Sequence, residues 1–456
     1  MKKNTKALFW FCQDLRVECN LAFQKACMKS ATLHTIYCFN PALIEPKRLN
    51  ISRISDNRLK FLSESVGDLK NQIETIGLSL GTFFLNPIKV IDEYIKGYNL
   101  DAVFRSKTNS YYENRIWSEL KAMHPDVCFE EYDSDTLFDE TSLPFSIDEL
   151  PETFSKFRKK VEKLEINIPN CSFSNIPKPL EQSTWDPKLK LFTENLQDIT
   201  SEFKGGTQAG YTQLHNYFNS QLPSSYKVFR NELDGWENST KFSAWLANGS
   251  ISVRNVALRL KQYEAEIEQN DSTYWIGFEL LWREYFHWYS KKYAQQLFQY
   301  KGIQTSRDKR CGLNCFYPER YQMWVNGNTP YLIVNACMKQ LKATGYMSNR
   351  GRQIVASCFV NELQLDWRFG AAYFEQQLID YDVATNWGNW QYLAGVGADP
   401  QPRRHVNLNK QTQLYDPNGD FIKKWTDAND SANSINKSKP VSLDSVDMVD
   451  WPIEQQ

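Results

Sequence analysis

The sequence predicts two domains: an α/β domain built on a parallel sheet and, beyond a long linker, an all-α domain. Three observations carry this reading. Short β-rich runs alternate with longer amphipathic stretches at the start of the chain. A proline-rich stretch then interrupts that alternation. From residue 205 to 425 the pattern is long and helical, and twelve of the fourteen tryptophans lie beyond residue 180, which asks for a large aromatic interior. At 456 residues the chain also exceeds one ordinary core.

In chain order, the strand-like runs are residues 6–12, 33–39, 80–85, 102–105 and 127–132, and 53–76 and 111–123 read as helices between them. The opening Met1-Lys2-Lys3 before Ala7-Leu8-Phe9-Trp10-Phe11 has the look of a signal peptide, but Gln13 and Asp14 end the apolar run early, so it reads as the first strand. No GxGxxG turn and no Walker loop appears, so a nucleotide cofactor is expected outside this domain. Pro144, Pro151, Pro169, Pro177 and Pro179 mark residues 139–184 as a surface connection. The expected division is 1–135 for the α/β domain, 136–204 for the linker, 205–425 for the helical domain and 426–456 for a flexible tail.

Hydrophobic residues at 41 % and charged residues at 23 % indicate a globular chain that does not span a membrane. The ten cysteines show no CxxC metal spacing, and only Cys311 and Cys315 stand close enough to suggest a pair; reduced thiols and a cytoplasmic protein are expected. A net charge of -1 excludes a globally basic nucleic-acid coat, so any such site must be a local patch.

Four segments concentrate chemistry. Residues 271–286, DSTYWIGFELLWREYF, place Trp275, Glu279, Trp282 and Phe286 on one helical face. As a bare i,i+4 pair, Glu279 and Arg283 would be a surface salt bridge, yet a charge among bulky rings needs specific partners. Ser348 can cap a helix whose first turn presents Asn349, Arg352 and Gln353, and a helix N-terminus beside arginine favours an anion. Ser239-Thr240-Lys241-Phe242-Ser243 before residues 244–247 offers a second such terminus, suited to a pyrophosphate. Taken singly, each is an ordinary cap. Residues 380–392, DYDVATNWGNWQY, pack two carboxylates, two asparagines and two indoles into a turn-like stretch, and amides beside aromatic planes suit a flat heterocycle.

The segments WREYF, TGYMSNRGRQ, LDWRFGAAYFEQQLIDYDVATNWGNWQY and AGVGADP, in this order, resemble the flavin-binding half of the photolyase/cryptochrome family. Phe157-Arg158-Lys159, Gly205-Gly206 and YKVFRNELDG from Tyr226 to Gly235 extend the likeness, which covers residues 6–425. TGYMSNRGRQ and NWGNWQY resemble the DASH branch. Ser348-Asn349 stand where repairers of the 6-4 photoproduct carry paired histidines, which argues against that class.

The resemblance implies a Rossmann-like sheet in the first domain and FAD, in a bent shape, in the helical one. By motif, Ser239, Thr240, Lys241, Phe242 and Ser243 would hold the diphosphate, with Tyr226 close by. Glu279 and Arg283 would line the adenine and substrate side, Asn349 and Arg352 would flank the isoalloxazine, Asp380 and Asp382 would contact the ribityl and ring edge, and Asn386 would face flavin N5. The implied reaction is blue-light-driven electron transfer from reduced flavin to a cyclobutane pyrimidine dimer in single-stranded DNA, which needs no hydrolytic triad or metal. The implied ligands are dimer-containing single strands, RNA also being considered, and the protein is expected to be a monomer. Arg230, Arg350 and Arg404 match phosphate-contacting arginines, and Gln353 and Tyr392 stand where duplex repairers usually place methionine and tryptophan. Trp390 and Trp367 match the inner members of an electron relay; its outer member would fall at Asn314, leaving Tyr317, Tyr373 and Trp324 as substitutes. A 5,10-methenyltetrahydrofolate antenna is implied, with Glu113 as its contact. The first-strand motif departs from the family, since Cys12 and Cys19 replace the usual arginine and aspartate.

The competing reading is a blue-light photoreceptor signalling through a partner, which the fold alone does not separate from a repair enzyme. A tail of about thirty residues after Trp425, rather than a long extension, favours the enzyme. A dehydrogenase would need a nicotinamide or acid–base site that the sequence lacks.

Overall fold

In a computed structural model, residues 5–43, 53–168, 176–179, 184–188, 196, 198–303, 315–398, 404–426 and 441–442 are described. The chain opens on β1 (Lys6–Phe11), α1 (Leu21–Lys29), β2 (Thr32–Cys38), α2 (Asp56–Thr75), β3 (Leu80–Phe83), α3 (Pro87–Tyr98), β4 (Ala102–Ser106), α4 (Tyr111–Met123) and β5 (Cys128–Tyr132). Helix starts follow capping chemistry: Asn20, Ser55 and Asn86 accept from the first turns of α1, α2 and α3, with Pro87 at the opening position of α3. Then come α5 (Phe154–Val161), β6 (Lys178–Pro179), β7 (Thr184–Trp185), α6 (Thr207–Phe218), α7 (Leu222–Phe229), α8 (Ser243–Ala247) and α9 (Val253–Glu266). The remainder holds α10 (Asp271–Tyr293), α11 (Pro318–Val325), α12 (Leu332–Thr344), α13 (Asn349–Ser357), α14 (Trp367–Gln377), α15 (Val383–Ala394), α16 (Leu408–Tyr415) and α17 (Asp420–Trp425), with a short antiparallel pair of Cys315–Phe316 and Val441–Ser442.

Packing groups the chain into two units. Met1–Pro144, Lys163–Pro223 and Thr240–Asn270 form one; Phe145–Glu162, Ser224–Ser239 and Asp271–Gln456 form the other.

The first unit holds a parallel sheet in the order β5-β4-β1-β2-β3-β7, with β6 against the start of β2. Phe9 pairs with Thr35 on one side and Phe104 on the other. Phe9, Phe11 and Leu33 face a core with Phe23, Leu59, Val66 and Leu69, while Leu8, Trp10 and Ile36 face another with Val90, Ile91 and Trp117. A sheet covered on both faces wants continuous apolar strands, which is why KALFWF lacks alternation. The Gly205-Gly206 pair lies hard against α2: a Cβ on Gly205 would meet Phe61 O at 2.2 Å, and Gly206 has φ +101. Both backbone amides there donate to α2, to Glu64 and Ser65.

The five expected strands all form, within about three residues of their expected ends. The proline-rich connection differs from its reading as an irregular surface segment. It contains α5, whose buried face is Phe154, Phe157 and Val161, and the strands β6 and β7 that extend the sheet. Their shortness explains the misreading, because two residues beside prolines carry no periodicity.

In the second unit α10 packs on α15 at a glycine. A Cβ on Gly388 would meet Phe286 Cδ1 at 2.3 Å, and one on Gly370 of α14 would meet the Trp390 ring at 2.3 Å. Large rings thus sit where neighbouring backbones are bare.

Candidate functional site

Helix α10 presents Glu279, Arg283 and His287 at i, i+4 and i+8, a single face. Glu279 is paired with Arg230, just beyond α7, and the Arg230 guanidinium lies 4.3 Å from the centroid of Trp275. Burial pushes the Glu279 carboxyl up, with Arg230 opposing. Burial, and then Glu279, raises the Tyr226 phenol as well. Arg230 is therefore engaged with a carboxylate and an indole in this structure, in the place where the motif suggested a phosphate contact.

Ser348 caps α13 as expected, accepting from Gly351 N at 3.1 Å. Arg352 in its first turn donates to Met347 O (2.9 Å) and, through Nη2, to Asp380 Oδ2 (2.8 Å). The other oxygen, Asp380 Oδ1, is buried and has no hydrogen-bond partner among the described residues. Asn349 is exposed at the start of the same helix. Residues 380–392 are not a turn-like stretch: helix α15 begins at Val383. Asp382 is its N-cap, accepting from Thr385 N at 2.7 Å, and Gly395 closes it in the left-handed region. The aspartate three residues before Thr385 and the closing glycine were the sequence signals for this helix. Burial acts to raise the Asp382 carboxyl, but His287 first and then Arg283 outweigh it and hold it well below the usual range. Asn386, also buried, donates from Nδ2 to Ala371 O at 3.0 Å, which fixes its amide.

The residues expected at the substrate, Arg230, Arg350, Gln353, Tyr392 and Arg404, lie in the same unit, in separate contacts. Trp282 lies 5.8 Å from Tyr392 edge to face, and its own face is stacked on Phe154 of α5 at 3.8 Å and 11°. The Arg404 guanidinium lies 4.2 Å from the Tyr392 ring. Arg350 donates to Gln353 (2.9 Å) and Asn231 (3.0 Å) and lies over Tyr415.

Two contacts between tryptophans involve the expected relay residues. Trp390 meets Trp324 at 6.3 Å, which in turn meets Tyr373 at 5.5 Å, and Trp367 meets Trp387 at 5.9 Å. Trp324, Tyr373 and Tyr317 are all buried. Asn314 and Cys311 lie outside the described residues.

Ser239 stands 3.4 Å from Tyr346 OH in the second unit. Thr240, Lys241, Phe242 and Ser243 belong to the first. There Phe242 packs on Tyr217 and Phe218, so its side chain is core; Lys241 adopts φ +59 and is buried, and α8 runs for only 5 residues. Glu113 sits in the first turn of α4, where it accepts from Ser110. Cys12 is near it: burial, and then Glu113, raises the Cys12 thiol. Cys19, at φ +50, approaches Asn255 Oδ1 at 3.3 Å. Among the described residues no group of three or more His, Cys, Asp or Glu is placed to hold a metal, and no helix is long and apolar enough to cross a membrane.

Comparison with known proteins matches residues 7–179 to the family described as DNA photolyase and residues 275–446 to the FAD binding domain of DNA photolyase. The chain is similar to a cryptochrome DASH of Idiomarina loihiensis, 48 % identical over 98 % of this chain and 96 % of that one. A cryptochrome DASH of Vibrio parahaemolyticus is 45 % identical over 100 % and 99 %. Among solved structures, the Synechocystis cryptochrome superimposes with a TM-score of 0.82 at 34 % identity, covering 93 % of this chain and 89 % of that one. A class III photolyase of Agrobacterium tumefaciens, at 21 % identity and a TM-score of 0.76, shares the fold.

The fold and the FAD-binding half define a flavoprotein of the photolyase type. The chain belongs to the photolyase/cryptochrome family, in its cryptochrome DASH branch. Its residues fit that cofactor: Asp380 Oδ1 is a buried acceptor with no hydrogen-bond partner among the described residues, Arg352 holds the other oxygen, and Asp382 and Asn386, close by in sequence, are polar groups held by Thr385 N and Ala371 O. Sequence reading missed His287 and Phe154. The first continues the Glu279–Arg283 face by one more i+4 step, a legible signal. The second lies far away in the chain and left none.

Proposed function

We propose that this protein is a blue-light enzyme that repairs cyclobutane pyrimidine dimers in single-stranded DNA. The observation that carries the reading is that one pair of packed helices, α10 and α15, bears both sets of groups. The acidic and amide residues Glu279, Asp382 and Asn386 alternate on them with the aromatic pair Trp282 and Tyr392. A flat-base platform and a flavin site thus share one rigid support.

When bound and fully reduced, the flavin of FAD would absorb blue light and lend one electron to the dimer, which splits into two pyrimidines and returns it. The protein's residues do the holding. Arg352 and Asp380 fix one edge of the site and Asn386 presents an oriented amide, while Ser239 to Ser243 and Tyr226 are the proposed diphosphate contacts. Trp282, stiffened by Phe154, and Tyr392, covered by Arg404, are the proposed walls for an extrahelical dimer. Arg350 and Arg404 supply local positive charge that a net charge of -1 denies the whole protein, and Arg230, engaged with Glu279 here, would have to leave that pair to contact a phosphate. Trp390 and Trp367 are proposed to re-reduce the cofactor under light. A methenyltetrahydrofolate antenna contacting Glu113 completes the proposal, as does a cytoplasmic monomer.

The test is illumination of purified protein with dimer-containing single-stranded oligonucleotides. Loss of dimers in blue light and none in darkness is expected; intact dimers after illumination of a flavin-loaded, prereduced protein would refute the proposal in favour of a receptor role.

A further inference from the structure

His287 is 1 % exposed, and its Nε2 lies 3.3 Å from Asp382 Oδ2. The opposite oxygen, Oδ1, is committed to capping α15 at Thr385 N. The Asp382 carboxylate is thereby fixed at both ends, by a helix start on one side and an imidazole from α10 on the other. A buried carboxylate stays charged only where cations and hydrogen bonds offset its lost hydration. Here the groups set against it are the His287 imidazole and Arg283, both from α10, whereas Asp380 is paired separately with Arg352. A histidine that merely filled the core would sit against apolar groups or a carbonyl. This one is spent on an acid.

We propose that His287 is a positioning residue of the flavin site: it holds Asp382 ionised and oriented, so that the charge and acceptor offered to FAD depend on a side chain acting through Asp382. The proposal rests on Asp382 lining the flavin. Its consequence is a coupling: removing His287 matters only while residue 382 is an acid.

The experiment measures FAD release from the holoprotein by fluorescence recovery, together with the visible spectrum of the bound flavin. Wild type, His287→Leu, His287→Gln, Asp382→Asn and the His287→Leu/Asp382→Asn double variant are compared. His287→Leu should release FAD about tenfold faster or more and shift the flavin bands. His287→Gln, which keeps an N–H donor, should recover most of the difference. In the Asp382→Asn protein, His287→Leu should add nothing. Equal acceleration by His287→Leu with and without Asp382, or no effect of His287→Leu at all, would overturn the proposal. Should His287→Leu alone not fold, the double variant decides: with no buried acid left it should fold and hold FAD as Asp382→Asn does, and its failure to fold would also overturn the proposal. A wild-type protein that binds no FAD would instead refute the assignment of the site.

Discussion

Arg352 and Asp380 make the exchange between charge and burial most visible. The aspartate is nearly inaccessible, one oxygen is held by Arg352 and the other has no partner among the described residues. Arg352→Ala would leave a buried carboxylate with neither oxygen satisfied, so it would recruit water and deform the site. The expected outcome is a folded protein that purifies with at least about tenfold weaker FAD binding; retained yellow colour at the wild-type level would count against the site. His34 illustrates the same physics away from the flavin. It is 1 % exposed on the sheet, stacked on Tyr94 at 4.4 Å, and burial lowers its pKa to about 4. Because the folded state binds this proton less readily than the unfolded chain, His34's contribution is constant above pH 6.5 and stability falls as pH drops through the window from 6.5 to 4. The loss amounts to about 3 kcal/mol at its limit. Urea unfolding of wild type and His34→Phe across this window should give a shallower pH slope for the variant; identical slopes would show that His34 does not titrate as described.

At the scale of elements, the decisive contact is α10 against α15. Gly388 lets the Phe286 ring approach the backbone, and an added methyl at 2.3 Å from Cδ1 cannot be absorbed without moving a helix or a packed ring. Gly388→Ala should cost about 1–3 kcal/mol and loosen flavin, read by denaturant midpoint and pigment retention together. Wild-type values for both would place no strain at this crossing. Trp390 is seated on Gly370 and touches Trp324. Trp390→Phe and Trp367→Phe are each expected to stop light-driven bleaching of the bound yellow pigment, whereas one of Trp324→Phe, Tyr373→Phe or Tyr317→Phe should only slow it; bleaching of Trp390→Phe at the wild-type rate would remove it from the path. Strands β1 to β5 were legible as short β-rich runs set between amphipathic stretches, and α13 because Ser348 and Arg352 announce its start. Helix α15 was obscured by its composition: its valine, threonine, two asparagines and glycine are poor helix formers, and only the Asp382 cap and Gly395 stop betray it. Strands β6 and β7 were illegible for a different reason. Two residues long, they exist because an existing sheet offers them partners.

Across the whole molecule, the sequence already carried the family through motifs that the structure gathers on a few helices, among them Arg352 with Asp380 and Trp282 with Tyr392. What it did not carry were pairings between distant segments, such as Arg230 with Glu279, Phe154 with Trp282 and His287 with Asp382. No local spacing encodes these. Under the proposed function, substrate choice turns on Gln353 and Tyr392: Gln353 is tied to Arg350 and Tyr392 is smaller than an indole, so an extrahelical dimer would meet a less extensive apolar wall. Unstacking and unpairing a lesion from a duplex costs a few kcal/mol, and a weak wall offsets little of it; a single strand imposes far less of that cost.

The most direct measurement is therefore the rate of dimer repair under blue light on matched single-stranded and duplex oligonucleotides, at one salt concentration because phosphate contacts dominate affinity. The account predicts rapid repair of the single strand, little repair of the intact duplex and none in darkness. Equal rates on both would contradict the explanation from Gln353 and Tyr392, and absence of repair on either by prereduced, FAD-loaded protein would contradict the assigned function itself.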